Sequence, residues 1–146
     1  MNKEWSDLNK TVQVQLKKET TFSDGIATLL TLRQALMDEL FKMKHELRCE
    51  DFIAIPFLNA NGYHSKTIAY SIWHIFRIED IVAHSLIQRN DEVFREFREG
   101  IGAPIITTGN ELVGQQIADF SKTLDVKVLY EYAKAVKEST DEYLKG

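Results

Sequence analysis

Apolar residues recur every three or four positions in three stretches of this chain, and each stretch predicts a helix. The longest uninterrupted one covers 64–89, where neither Gly nor Pro occurs to break it. Ser65 is a suitable N-cap after the turn-like Asn59-Ala60-Asn61-Gly62. At about 100° per residue, Ile68, Ile72, Ile75, Ile78, Ile81, Val82 and Leu86 share one broad arc, which predicts the face turned to the core. His74 falls on the edge of that arc and Glu79 well inside it. Arg77, Asp80 and His84 fall on the opposite, polar side, with Asp80 and His84 predicted to face solvent and Arg77 and Glu79-Asp80 to supply local charge pairing. A carboxylate in an apolar arc must find a partner or stay protonated, so this helix is the first place to look for chemistry.

The second stretch, about 25–47, is capped by Ser23 or Asp24 and offers Ile26, Leu29, Leu30, Leu36, Met37, Leu40 and Leu47 on one face. The third follows an Asp125 cap, with Val126, Leu129, Tyr130, Ala133, Val136, Thr140, Tyr143 and Leu144 in the 3-4 rhythm. Shorter helices are predicted at 3–19 (Trp5, Leu8, Val12, Leu16), over a turn or two at 91–98, and after Thr108-Gly109-Asn110-Glu111, which has capping-box spacing. The connection at 48–63 carries Phe52, Ile53, Ile55, Phe57 and Leu58 and is expected to pack over the bundle. Gly100-Ile101-Gly102-Ala103-Pro104 breaks the pattern. No segment alternates with period two, so the fold class is all-α.

Composition narrows the picture further. With 146 residues, one domain over 1–146 is expected, its first 24 residues an N-terminal extension to the bundle. Only 7 Gly and 2 Pro suit long helices rather than a turn-rich fold. A net charge of −4 argues against a general nucleic-acid binder. The start, Met1-Asn2-Lys3-Glu4-Trp5-Ser6-Asp7, lacks the apolar core of a signal peptide, and no run is long enough to span a bilayer. The lone Cys49 fits a reducing, cytoplasmic compartment and is expected to be a half-buried structural residue. Lys42, Lys44, His45 and Arg48 gather near a helix end, where cations complement the macrodipole; a phosphate site is the weaker reading.

The run from Ile68 to Ile87, with Trp73-His74-Ile75 followed by Arg77-Ile78-Glu79-Asp80, resembles the second helix of the DinB/YfiT-like superfamily of metal-dependent enzymes. Leu129-Tyr130-Glu131-Tyr132-Ala133-Lys134-Ala135-Val136, with Thr140 and Tyr143-Leu144, is similar to that family's third helix. The resemblance implies an up-down-type bundle of four helices over roughly 25–146. It also implies a divalent metal, Ni or Zn, held by one histidine of the second helix and a His-x-x-x-His of the fourth. His74 matches the first of these ligands, and the fourth helix is missing from this chain. No His-x-x-x-His occurs, and His64, His74 and His84 stand about 15 Å apart in succession along a helix, too far to share one ion. His45, near its own helix end, would lie beside the start of 64–89 rather than beside His74.

Two functions follow from these readings. In the first, the protein is of the hydrolase or thiol-transferase kind, its metal polarising a thiol, water or carbonyl of an unnamed small substrate while Glu79 or a nearby acid moves a proton. In the second, it is a non-catalytic helical protein for assembly or partner binding. Each residue has a plainer reading as well. His74 is then a core-edge histidine bonded to a neighbouring helix, and Glu79 a structural acid paired with a Tyr, Arg or Lys across the bundle. Tyr70 and Trp73 are then packing residues. Three long helices without a fourth leave an apolar groove, which favours a homodimer; the 3–19 segment and the 48–63 connection are the alternative covers.

Overall fold

In the computed structural model, described for residues 2–57 and 66–146, all regular structure is helical. The helices are α1 (Asn2–Gln15), α2 (Phe22–Glu46), α3 (Cys49–Ile53), α4 (Ile68–Asp80), α5 (Phe94–Ile101), α6 (Gln115–Thr123) and α7 (Val126–Lys145). A π-helical segment, Ile81–Gln88, continues α4, and a 3-10 turn, Glu19–Thr21, leads into α2. The chain forms two compact units, one of Met1–Glu46 with Lys137–Gly146 and one of Leu47–Val136. No helix among the described residues is long and apolar enough to cross a membrane.

The first unit rests on the α1–α2 hairpin. Gly25 allows the two helices to close, because a Cβ there would come 2.8 Å from the Leu16 side chain. Across the same contact Thr28 Oγ1 donates to Gln15 Oε1 at 2.7 Å. The hydrophobic side chains buried in this unit are Val12, Leu32 and Met37, whereas Leu36, predicted on the core face, is exposed. Helix α2 begins earlier than the predicted cap at Ser23 or Asp24, because the 3-10 turn feeds straight into Phe22. The C-terminal turns of α7 join α2 through Asp141, whose carboxylate takes Arg33 Nε and Lys137 Nζ, each at 2.6 Å.

Most of the buried hydrophobic mass lies in the second unit. Tyr70, Trp73, Phe94 and Phe120 meet edge to face, with Tyr132 against Phe94 and Phe52 against Tyr130. Ser65 and the 59–62 turn lie outside the described residues. The observed cap of α4 is Thr67, whose hydroxyl accepts from Tyr70 N at 3.0 Å and lies 2.6 Å from Ser121 Oγ of α6. Asp125 caps α7 as predicted, accepting from Val128 N at 3.0 Å. The Thr108–Glu111 capping box does not form. Gly109 and Gly114 take positive φ and interrupt the helix, so α6 starts only at Gln115 and Glu111 instead takes the Thr107 hydroxyl at 2.6 Å. Of the 48–63 connection, 49–53 forms α3 and buries Phe52, Phe57 is exposed, and 58–63 lies outside the described residues. Cys49 is exposed rather than half-buried, because it sits at the first position of α3, whose inward residue is Phe52.

The largest departure from the periodicity is on α4 and its π-helical extension, where the two faces are largely reversed, although Ile72 is buried as predicted. Tyr70, Trp73, Arg77, Asp80 and His84 are buried, whereas Ile75, Ile78, Val82 and Leu86 are 41–65% exposed. The inward side chains also follow 3-4 spacing, but they are aromatic and charged. Aliphatic mass therefore identified the wrong face: an aromatic core can enclose a charge whose partners it also supplies.

Candidate functional site

Asp80 is the centre of the buried polar cluster. Helix α5 has no side-chain cap of its own, and Asp80 reaches across from α4 to supply one. Its two oxygens accept from Val93 N at 2.9 Å and Phe94 N at 2.8 Å, where the first amides of a helix need an acceptor and the macrodipole favours negative charge. Tyr132 donates its hydroxyl to Asp80 Oδ2 at 2.8 Å, and His84 Nδ1 stands 2.9 Å from Oδ1. Burial, with Asp80 alongside, raises the Tyr132 phenol far above its ordinary value, so it remains a donor.

Arg77, 2% exposed, lies between two acids: Nη1 is 2.9 Å from Glu92 Oε2 and 3.6 Å from Asp80 Oδ2. Its Nη2 donates to the Ile106 carbonyl, and its guanidinium stacks 4.2 Å from the Phe94 ring centre. Glu92 also accepts from Ser85 Oγ at 2.6 Å. Burial pushes the Glu92 carboxyl up, but the Ser85 hydrogen bond and the Arg77 charge outweigh it and hold the group below the ordinary glutamate value. The π-helical segment ends with Arg89 in the left-handed region, and the His84 carbonyl accepts from Arg89 N and Asn90 N. The chain thereby turns to bring Glu92 back over Arg77.

Chemically, this interior is an anchor. His84 has the carboxylate-oriented geometry of a general base, yet it is only 3% exposed and presents no face to a substrate. Outside the cluster lies an open cavity of about 460 Å³ lined by Ser85, Asn90, Asp91, Glu92, Phe94, Arg95, Arg98 and Ile106. Asp91 and Arg95 pair at its rim at 2.7 Å, both side chains more than three-quarters exposed.

His74 stands apart from that cluster and is half-buried. Its Nδ1 is 2.6 Å from the Thr108 carbonyl, and its ring stacks on Tyr70 at 5.6 Å. The Tyr70 hydroxyl in turn donates to the Gly109 carbonyl at 2.8 Å, so the 108–109 backbone fixes both rings. A carbonyl at Nδ1 selects the tautomer with the proton there and leaves the Nε2 lone pair available. Glu79 is half-buried. Among the described residues, no group of three or more His, Cys, Asp or Glu side chains could hold a metal ion.

The sequence pattern singled out His74 and Glu79, turned Asp80 and His84 to solvent, and gave Arg77 only local pairing with Glu79-Asp80, of which the Arg77–Asp80 contact is present at 3.6 Å. The structure joins Arg77, Asp80 and His84 with Glu92 and Tyr132. A signal was present in the 4-3-4 spacing of Trp73, Arg77, Asp80 and His84, but reading it requires knowing that Tyr132 and the start of α5 supply the partners. No family model, curated protein or solved structure matches this chain.

Proposed function

We propose that this chain is a DinB-like helical protein of the divalent-metal-dependent class, with His74 as its metal-facing residue. The observation that carries the reading is the Nδ1 contact of His74 with the Thr108 carbonyl at 2.6 Å, the support a ligating histidine uses to aim Nε2. The resemblance of Trp73-His74-Ile75 and Arg77-Ile78-Glu79-Asp80 to the family's second helix adds the metal, Ni or Zn, and a hydrolase or thiol-transferase type of reaction. The described residues do not complete such a centre: His74 supplies one nitrogen, and stable sites use three or four protein ligands.

The expected behaviour is weak metal binding focused on His74. Adding Ni²⁺ to the purified chain should broaden NMR signals of 70–78 and 106–109 selectively, and His74→Ala should abolish that broadening. Broadening centred on His45 or His84 would refute His74 as the ligand position. Retention of near one metal per chain through dialysis would refute the incomplete site.

A second reading, a non-catalytic helical protein that works by assembly, is favoured by a separate observation. Ile75, Ile78, Val82 and Leu86 form an exposed aliphatic row along one side of α4 and its π-helical extension. In this reading the row meets a second copy of the chain.

A further inference from the structure

On α5, Phe94 and Arg95 each stand one turn from Arg98, at i,i+4 and i,i+3, and all three line the cavity together with Ile106. The cations on that wall are unequal. Arg77 beneath it is committed to Glu92, Asp80 and the Ile106 carbonyl, and Arg95 is tied to Asp91 at 2.7 Å. Arg98 has no side-chain hydrogen bond or ion pair among the described residues. A guanidinium is a planar fork of donors suited to a carboxylate. Beside it, the 56% exposed Ile106 provides most of the apolar wall, Phe94 being only 4% exposed, and Asn90 provides an amide.

The acids in the same lining limit the ligand's charge. Asp91 and Glu92 would repel a doubly charged phosphate, whereas one negative charge at Arg98 is matched by the one uncommitted cation. The cavity's volume, about 460 Å³, lies in the range of small-molecule sites. We propose that the cavity between α5 and Ile106 binds a small organic monocarboxylate, its carboxylate on Arg98 and its apolar body against Phe94 and Ile106. This site is independent of His74 and of the proposed metal.

The probes are 3-phenylpropionate and isovalerate, with 3-phenylpropanamide as a neutral counterpart, each titrated into the ¹⁵N-labelled chain. Both carboxylates should shift the amide signals of 85, 90–98 and 106 saturably in the millimolar range, and the amide about tenfold more weakly. Arg98→Gln, an exposed substitution that keeps the helical circular dichroism spectrum, should weaken both carboxylates about tenfold. Arg95→Gln should have the smaller effect. The proposal is overturned if neither carboxylate shifts those signals up to ~10 mM. Equal affinity for the amide, or binding unchanged in Arg98→Gln, overturns it as well.

Discussion

Asp141 in the first unit and Asp80 in the second are both inward-facing helical aspartates, yet their partners differ in kind. Asp141 meets two long cationic side chains, Arg33 and Lys137, whose side chains keep 17% and 12% of their surface in solvent. Asp80 is fully buried and meets two backbone amides, a phenol and an imidazole, with Arg77 at 3.6 Å. The hydrophobic surroundings differ in parallel: Val12, Leu32 and Met37 in the first unit, an aromatic cluster in the second. Flexible cations lose rotamer entropy when held and gain modestly in return. Groups already fixed by helix α5 and by ring packing lose little more, so their bonds to Asp80 also set where α5 starts. A charge placed in a rich core specifies geometry, whereas one placed at a thin core mainly joins helices.

The largest effect should come from removing the better-enclosed acid. Asp80→Ala leaves the Val93 and Phe94 amides and the Tyr132 hydroxyl without their acceptor and places Arg77 beside one acid instead of two. Breaking a buried charge cluster on one side costs about 3–5 kcal/mol. Urea unfolding followed by Trp73 fluorescence in a Trp5→Phe background reads the second unit, because Trp73 lies in it and Trp5 does not. A loss below about 1 kcal/mol would mean that the cluster is no stronger than a surface pair, and would remove the contrast with Asp141.

The three long helices were legible because helical period, capping residues and Gly or Pro breaks are local properties. Asp125 capped α7 as its position implied, while the cap of α4 fell at Thr67. The candidate site was less legible, for two reasons. Hydrophobicity ranks Ile75, Ile78 and Val82 above Arg77 and Asp80, so periodicity assigned the aliphatic side to the core. The compensation that permits Arg77 and Asp80 inside comes from Glu92, Phe94 and Tyr132, 14 to 55 residues away in sequence. No spacing rule within one helix reveals partners at that distance. The core-edge position of His74 was legible, but its hydrogen-bond anchor was not, because Thr108 acts through its backbone carbonyl, which carries no side-chain signature.

An intermediate effect, dependent on pH, should separate the two acids further. Burial raises Asp141, but hydrogen bonds and charge from Lys137 and Arg33 outweigh it, so its folded-state value lies below the ordinary 3.8. A depressed carboxyl contributes stability above its unfolded value and loses it as pH falls through the folded value. Asp141→Asn should therefore cost about 1 kcal/mol at neutral pH, discounted for the partly solvated cations, and nothing once the wild-type group is protonated. Urea midpoints of wild type and variant, taken stepwise from neutral pH to below 3.8, should converge at the acid end. Midpoints that stay apart there would assign the cost to packing rather than charge. Glu92, also lowered but from 4.5, should begin to lose its contribution at a higher pH, in the second unit.

The smallest effect tests the comparison within one helix, between the inner and outer sides of α4. Ile78 is 42% exposed and sits in the outward row, whereas Asp80, two residues on, is fully buried. Outward substitutions clear of any cap or cluster stay within about 0.5 kcal/mol, so Ile78→Gln should leave urea unfolding of the dilute chain nearly unchanged. The same variant bears on assembly. If the aliphatic row meets a second copy, wild type at micromolar concentration scatters light as two chains and Ile78→Gln as one, at 16.8 kDa. A wild-type mass already at 16.8 kDa would end the dimer reading without touching the fold. A loss above about 2 kcal/mol in the dilute variant would mean that the aliphatic side is packed within the monomer, as its periodicity first implied. The reversal of faces that defines the Asp80 site would then have to be withdrawn.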